Sequence, residues 1–433
     1  MVSQYWAPEN GVPQRRWTWL TELLIRNGYQ VLVIAPPPHY ARKISLKTWV
    51  GRIFAGSDSV EVGPSGEKIY RSLYLPAGNS LTMRAVSQAV AALGSLLTFV
   101  SKGKDLKSFR PDVVIGTVPA LPTAVVAMLG AKSLNVPYVV DLRDAWPDLL
   151  NEVDKWNNGL GQKSLRERVL RRGPLQVISF LTAKAIDYSL NHSSALIVTS
   201  GLYAEEMRKR LALNRAQSKP ITVLRNVFPV KSGVSSVEKS RLQPSDSGDL
   251  GRVESLRVLY AGTLGRAQGL ENAIRAAELA LDRGVKVELR LIGAGAARFE
   301  LEKRARRSRA NVSILDRRPA EELGALYSWA DTLLVHLADW ESLEYAVPSK
   351  TFEFFEIGKH ITGVVRGEAA QLIEQLAAGD VVEPEDPEEL ASLWCSLAQN
   401  PRRLEIPERA RLWLKEEREV NTPEKINDLL ESL

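Results

Sequence analysis

From residue 255 onward the sequence alternates between short apolar runs and segments whose apolar residues recur at helical spacing. The runs at 256–261, 285–292, 312–315, 332–337, 360–365 and 380–382 read as strands, and 270–281 and 299–309 between them as helices. Such alternation strongly favours one architecture. Consecutive parallel strands need a crossover, the crossover is normally a helix, and the result is a parallel sheet covered on both faces. The first half repeats the pattern less cleanly, with a helix at 12–26 and strands at 29–35, 112–115, 138–141 and 196–199. At 433 residues the chain exceeds one ordinary core. The expectation is α/β, with two doubly wound parallel-sheet domains facing a cleft. Residues 1–227 form the first and 255–410 the second. The bridge at 228–254 covers the Ser/Gly/Asp-rich stretch 230–252 with Pro244 and reads as a linker or mobile loop. The first strand, before the turn Pro8-Glu9-Asn10-Gly11, reads as cut short. Either residues upstream belong to it or this sheet edge is poor, and adding upstream residues is expected to raise soluble yield.

An apolar fraction of 45% and a charged fraction of 25% are those of a globular protein. One cysteine, Cys395, excludes an internal disulfide and a Cys-rich zinc site. No run reaches the roughly 20 apolar residues that span a bilayer, and no secretory signal is visible. The closest run, 85–100, contains Ser87, Gln88, Gly94 and Ser95 and reads as a buried helix, with an interfacial one as the alternative. Through residue 227 there are 29 Lys/Arg against 16 Asp/Glu, and thereafter 28 against 35. A basic half joined to an acidic one implies an anionic partner. Arg166, Arg168, Arg171 and Arg172 precede apolar Val177 to Leu181, a pattern suited to an anionic membrane surface or to a solvated helix. Nucleic acid is not expected, because the basic residues are not interleaved with aromatics in a recognisable module.

Three segments carry candidate chemistry at strand ends. Lys350 and Glu353 start a short helix three residues apart, on one face. There a cation meets a diphosphate and a carboxylate accepts from ribose hydroxyls. Gly262-Thr263-Leu264-Gly265-Arg266-Ala267-Gln268-Gly269 joins a strand to a helix, and Gly293-Ala294-Gly295 follows the next strand. Such glycines let backbone approach a ligand, and the helix behind offers free N–H groups, although a plain βα turn has the same composition. Asp141-Leu142-Arg143-Asp144-Ala145-Trp146-Pro147 ends a strand of the first half, where a carboxylate orients or deprotonates a hydroxyl acceptor or simply closes a salt-bridged terminus. His39 follows Pro36-Pro37-Pro38 and lines the cleft or a loop. No His/Cys cluster, Asp-x-Asp or His-Glu-x-x-His occurs, so no protein-bound metal is expected.

With these residues in view, the sequence resembles the retaining GT-B glycosyltransferases of family 4, in the fucosamine-transferase-like branch that builds O-antigen, capsule and exopolysaccharide chains. Ser3-Gln4-Tyr5-Trp6-Ala7-Pro8-Glu9 is similar to the family's opening Ser-Gln-Tyr-Phe-Pro-Pro-Glu. Pro36-Pro37-Pro38-His39-Tyr40, Arg143-Asp144-Ala145-Trp146-Pro147, Tyr260-Ala261-Gly262 through Leu270, Pro348-Ser349-Lys350 through Glu353, and Gly367-Glu368-Ala369-Ala370 extend the likeness over nearly the whole chain. The resemblance implies a nucleotide-sugar donor in the second domain and the acceptor in the first. It also implies a C-terminal helix, within 411–433, returning to the first domain. It places Glu353 at the ribose, Lys350 at the diphosphate and Arg317 near the base, with Gly262, Thr263, Arg266, Gln268, Gly293 and Glu368 completing the donor side. Gly11, His39 and Asp141 fall on the acceptor side, and Arg143 and Asp144 where the wider family has His-Asp. The wider family's donor-loop cations are replaced by Thr263 and Gln268, and the first of its two glutamates by Tyr345.

The implied reaction moves a sugar, UDP-linked by resemblance, to a hydroxyl of a lipid-linked or growing saccharide, with retention, no cofactor and no metal. The implied location is cytoplasmic, at the inner face of the membrane. A 2-epimerase-like isomerase shares the architecture, and a non-catalytic nucleotide-sugar binder would also explain the missing cations.

Overall fold

The structure, a computed structural model, describes residues 1–9, 11–38, 60–75, 81–118, 120–145, 174–213, 218–229 and 255–433. His39, the Trp146-Pro147 end of its segment, the arginines at 166–172 and the linker at 230–252 lie outside them. The chain forms two compact units. The first gathers Met1–Asn151 and Gln162–Phe228 with Thr422–Leu433, and the second holds Pro229–Asn421.

In the first unit, in chain order, stand α1 (Val12–Arg26), β1 (Leu32–Ala35), β2 (Glu61–Val62), β3 (Lys68–Arg71), α2 (Leu81–Ser101), α3 (Gly103–Phe109), β4 (Val114–Val118) and α4 (Pro122–Leu134). They are followed by β5 (Tyr138–Leu142), α5 (Pro174–His192), β6 (Ala195–Val198), α6 (Gly201–Leu213) and β7 (Ile221–Val223). The strands run β1-β3-β2 and β4-β5-β6-β7, parallel except for β2 against β3. β4, β5 and β6 are buried throughout, which is why they read as continuous apolar runs. The opening segment does not lie at an edge. Val2 bridges to both Ile34 and Gly116, its N–H donating to the Ile115 carbonyl at 2.8 Å, and the Ser3 N–H donates to that of Ile34 at 3.1 Å. Residues 1–3 therefore join the two sheets from between them. The β2–β3 pair and β7 escape sequence reading because two to four residues carry no usable period.

The second unit holds β8 (Leu256–Thr263), α7 (Glu271–Asp282), β9 (Val287–Ala294), α8 (Arg298–Arg307), β10 (Asn311–Leu315), α9 (Ala320–Trp329) and β11 (Thr332–His336). It continues with α10 (Ser349–Ile357), β12 (Ile361–Val364), α11 (Gly367–Gln375), β13 (Gly379–Val382), α12 (Pro387–Gln399) and α13 (Arg409–Glu416). The helix α14 (Thr422–Glu431) lies in the first unit, where Asn27 donates to Asn427 at 3.0 Å. All six strands are parallel, in the order β10-β9-β8-β11-β12-β13. The chain moves outward from β8 to β10, then returns to lay β11 on the other side of β8. At such a switch point connections leave to opposite faces and open a crevice at the carboxyl ends.

The amino edge of this sheet is sealed by a polar relay. The Thr332 hydroxyl meets His360 Nδ1 at 2.9 Å, His360 Nε2 meets an Asp380 oxygen at 3.0 Å, and Arg403 donates to the other at 2.7 Å. Thr332 is fully buried, so the relay is a brace and not an exposed nucleophile. The hydrogen bond from His360, then that from Arg403, holds the Asp380 carboxyl below its ordinary value. A depressed carboxyl stabilises the fold above its unfolded pKa and loses that contribution as pH falls through its folded one. Wild type should therefore shed stability below about pH 4, and Asp380→Asn should flatten that acid limb in pH-dependent melts. An unchanged limb would show that the relay does not couple to folding.

Candidate functional site

The carboxyl edge of the second sheet is built by its βα loops. The two glycine loops knit to each other: the Leu264 N–H donates to the Ala294 carbonyl at 3.0 Å and the Ala297 N–H to that of Leu264 at 2.9 Å. A Cβ on Gly293 would lie 1.8 Å from the Gly262 oxygen, and one on Gly295 2.2 Å from the Leu264 oxygen. Backbone touching backbone accounts for these glycines. Gly262 is also hemmed in, by the Tyr260 hydroxyl 2.9 Å from where its Cβ would be.

The loop after β8 is then pinned. Gln268 Oε1 accepts the Gly265 N–H at 3.1 Å, and the Ala338 N–H donates to the Ala267 carbonyl at 2.8 Å. Gly269 turns into α7 with φ of +56°, the left-handed region that favours glycine. Asn272 Nδ2 lies 3.2 Å from His336 Nε2. Burial pushes His336 down to about 4, so at neutral pH it is uncharged and accepts from Asn272. Thr263 is exposed, Arg266 is half-buried in the turn, Arg317 is exposed beyond β10, and Glu368 is buried in the first turn of α11. Arg366 braces the far side, pairing with Asp339 after β11 and Glu383 after β13.

Lys350 and Glu353 do share one face of α10, and they pair with each other at 2.8 Å. A third residue joins them. Tyr327, on α9 and fully buried, donates its hydroxyl to Glu353 Oε1 at 2.7 Å and accepts from Lys350 Nζ at 2.9 Å. Sequence reasoning missed Tyr327 because it stands 23 residues before Lys350 on another helix, where it reads as an ordinary core position. The cap of α10 is Pro348, whose side chain cannot accept from the first-turn N–H groups; its carbonyl takes only that of Thr351, at 2.9 Å. An uncapped helix start presents those donors and the positive end of the helix dipole. Beside it the Thr351 hydroxyl is buried without a partner.

In the first unit the expected residues separate. Asp141 is fully enclosed. Its Oδ1 takes Arg16 NH2 at 3.1 Å and its Oδ2 the Trp17 indole N–H at 2.7 Å. The same Arg16 donates to the carbonyls of Leu224 at 2.8 Å and Arg225 at 3.2 Å and to Asn226 Oδ1 at 3.1 Å. The arrangement has a plain cause: α1 lays two donors over the end of β5, and a buried guanidinium demands a carboxylate. Arg143 is mostly buried, its Nε donating to the Val118 carbonyl at 2.9 Å, and burial pushes it down to about 10. Asp144 is exposed beside it. Gly11 precedes α1, where a Cβ would meet Gln14 Oε1 at 2.5 Å. His39 lies outside the described residues.

Residues 11–226 match the glycosyl transferase 4-like domain and residues 255–400 the glycosyl transferases group 1 domain. With two Rossmann-like units, each a parallel sheet flanked by helices, the protein is a glycosyltransferase of the GT-B fold. Among its relatives is the Escherichia coli (strain K12) "Putative colanic acid biosynthesis glycosyl transferase WcaI", 26% identical over 392 residues, covering 86% of this chain and 85% of that one. Among solved structures, a sucrose-phosphate synthase from Thermosynechococcus elongatus superposes with a TM-score of 0.64 at 14% identity, covering 95% of this chain and 91% of that one. Anabaena HepE, in complex with UDP and glucose, does so with a TM-score of 0.60 at 16% identity, covering 100% and 98%. These two share the fold. The domain matches favour a transferase over the isomerase and the non-catalytic binder.

Proposed function

We propose that this glycosyltransferase moves a sugar from a UDP-linked donor to a hydroxyl of a lipid-linked or growing saccharide during assembly of a cell-envelope polysaccharide. Transfer proceeds with retention and without a metal, at the inner face of the cell membrane. One observation carries the donor assignment: an ammonium, a carboxylate and a phenol are gathered at the uncapped start of α10, on the carboxyl edge of the sheet. That is where a helix start and a fixed cation hold a diphosphate. The UDP in HepE and the polysaccharide named for WcaI support the donor and product classes.

In this reading Glu353 accepts from the ribose hydroxyls, and Lys350 leaves Glu353 for the diphosphate while Tyr327 keeps the carboxylate in place. Arg266 and the starts of α10 and α11 add positive potential, with Glu368 close to the donor. Arg143 and Asp144 serve the acceptor side. The bond from the anomeric carbon to the diphosphate breaks, the bond to the acceptor oxygen forms on the same face, and the acceptor's proton passes to the departing phosphate. Thermal-shift titration with UDP, nucleoside monophosphates and other nucleoside diphosphates tests the donor class, because a ligand of the native state raises its melting point. UDP should give the largest rise, and no rise with any nucleotide would sink the assignment. Turnover should survive saturating EDTA; its abolition would overturn the metal-free mechanism.

A further inference from the structure

The hairpin of β2 and β3 ends on a residue that reaches two loops at once. Arg71 closes β3 in register with Ala35, the last residue of β1. Its NH1 donates to the Pro36 carbonyl at 3.1 Å and its NH2 to the Ala7 carbonyl at 3.0 Å. Pro36 stands where β1 leaves the sheet, and Ala7 lies beyond the opening segment that bridges to the same strand. Glu61 on β2 orients the fork, taking Nε at 2.7 Å and NH2 at 2.6 Å. The Arg71 side chain is only 6% exposed.

The two carbonyls need this donor. Ala7 and Pro36 are buried, and among the described residues no backbone N–H reaches either carbonyl. Pro8 comes next in one loop and Pro37 and Pro38 in the other, and proline has no N–H to offer. A buried carbonyl without a donor is costly, so the guanidinium supplies the hydrogen bonds that the prolines cannot. The hairpin holds the first loop a second time. Trp6 Nε1 donates to Glu67 Oε1 at 3.1 Å and the Ser65 N–H to Oε2 at 3.0 Å, with Trp6 and Glu67 both buried. Loss of Arg71 would therefore leave this loop anchored at Trp6 while releasing its far end and the exit of β1.

We propose that Arg71 is a positioning residue for the acceptor. It fixes the exits of two loops at the carboxyl edge of the first unit, and so sets acceptor affinity without touching the acceptor. Past Ala7 the chain runs four residues to Gly11, and past Pro36 three to His39, the two loop residues expected on the acceptor side. One fork is the common partner of both loops, so it fixes one against the other. A binding site must be held to within about 0.5 Å, and supporting residues of this kind supply that precision. The inference rests on the reading that the first unit takes the acceptor. The donor assignment, made in the other unit, does not enter it.

Initial rates of the full chain, with donor and acceptor varied in turn, test it. The probes are UDP-glucose, UDP-galactose and UDP-N-acetylglucosamine as donors, and the octyl glycosides of the same sugars as acceptors. Arg71→Met keeps the apolar stem and removes the fork. It should raise the acceptor KM roughly tenfold, with kcat and the donor KM changed by less than about twofold. Arg71→Lys keeps the charge without the fork and should fall between. Glu61→Gln leaves both carbonyl bonds in place and should match wild type. Rates are taken well below each variant's melting point, so a loss of stability alone moves none of these ratios. Four results each overturn the proposal: an unchanged acceptor KM in Arg71→Met, an equal rise in both KM values, a lysine variant identical to wild type, or a Glu61→Gln enzyme that matches Arg71→Met. Wild type that transfers to no octyl glycoside, while UDP still raises its melting point, removes the acceptor reading itself and this inference with it.

Discussion

Asp141→Ala should destabilise the first unit by about 3–5 kcal/mol, the usual cost of stranding one partner of a buried ion pair. Arg16 and Asp141 are both wholly enclosed and meet at 3.1 Å. With the carboxylate gone, Arg16 keeps its bonds to Leu224, Arg225 and Asn226 but has no counter-charge, and the Trp17 indole N–H loses its acceptor. Asp141→Asn should cost less, because the amide oxygen still accepts one of the two donors. Urea melts of the full chain, followed by a probe in the first unit, measure the effect. A cost below about 1 kcal/mol would mean that the neighbouring carbonyls alone hold the guanidinium. Arg16→Met made together with Asp141→Leu should recover much of the loss, since buried ion pairs are often replaceable by apolar residues as a unit.

Lys350→Ala should lower turnover by well over tenfold, and by about a hundredfold if the ammonium acts mainly on charge that develops in the departing diphosphate. The side chain is only partly buried, so the fold should survive. Near-normal turnover would remove Lys350 from the mechanism. Tyr327→Phe separates the two halves of the cluster. It leaves the ring in the core and takes away the hydroxyl that holds Glu353 at 2.7 Å and accepts from Lys350 at 2.9 Å. One hydrogen bond to a charged group is worth about 1.5–3 kcal/mol, so the donor KM should rise roughly tenfold or more while the acceptor KM holds. A lowered melting temperature with an unchanged donor KM would reduce Tyr327 to a packing residue.

The strands of the second unit were legible because each is a short, mainly apolar run bounded by helical spacing, and α1 was legible because its period is clear and Pro13 marks its start. Lys350 and Glu353 were legible as a pair because three residues along a helix always means one face. These are local facts, set by the repeat of the backbone and the chemistry of neighbours in sequence. What Tyr327, Asp141 and the glycine loops do is not local. Tyr327 reaches its partners from a different helix, Asp141 is claimed by a helix 124 residues earlier, and Gly293 is glycine because another loop's oxygen occupies the place of its Cβ. The same holds for Gly94 on α2, which is glycine where a Cβ would sit 2.3 Å from the Leu73 oxygen. Sequence periodicity settled strand or helix for the longer segments, and left β2, β3 and β7 unread. Only the folded chain decided which polar atoms are consumed by packing and which stay open to a ligand, because that depends on what arrives from elsewhere.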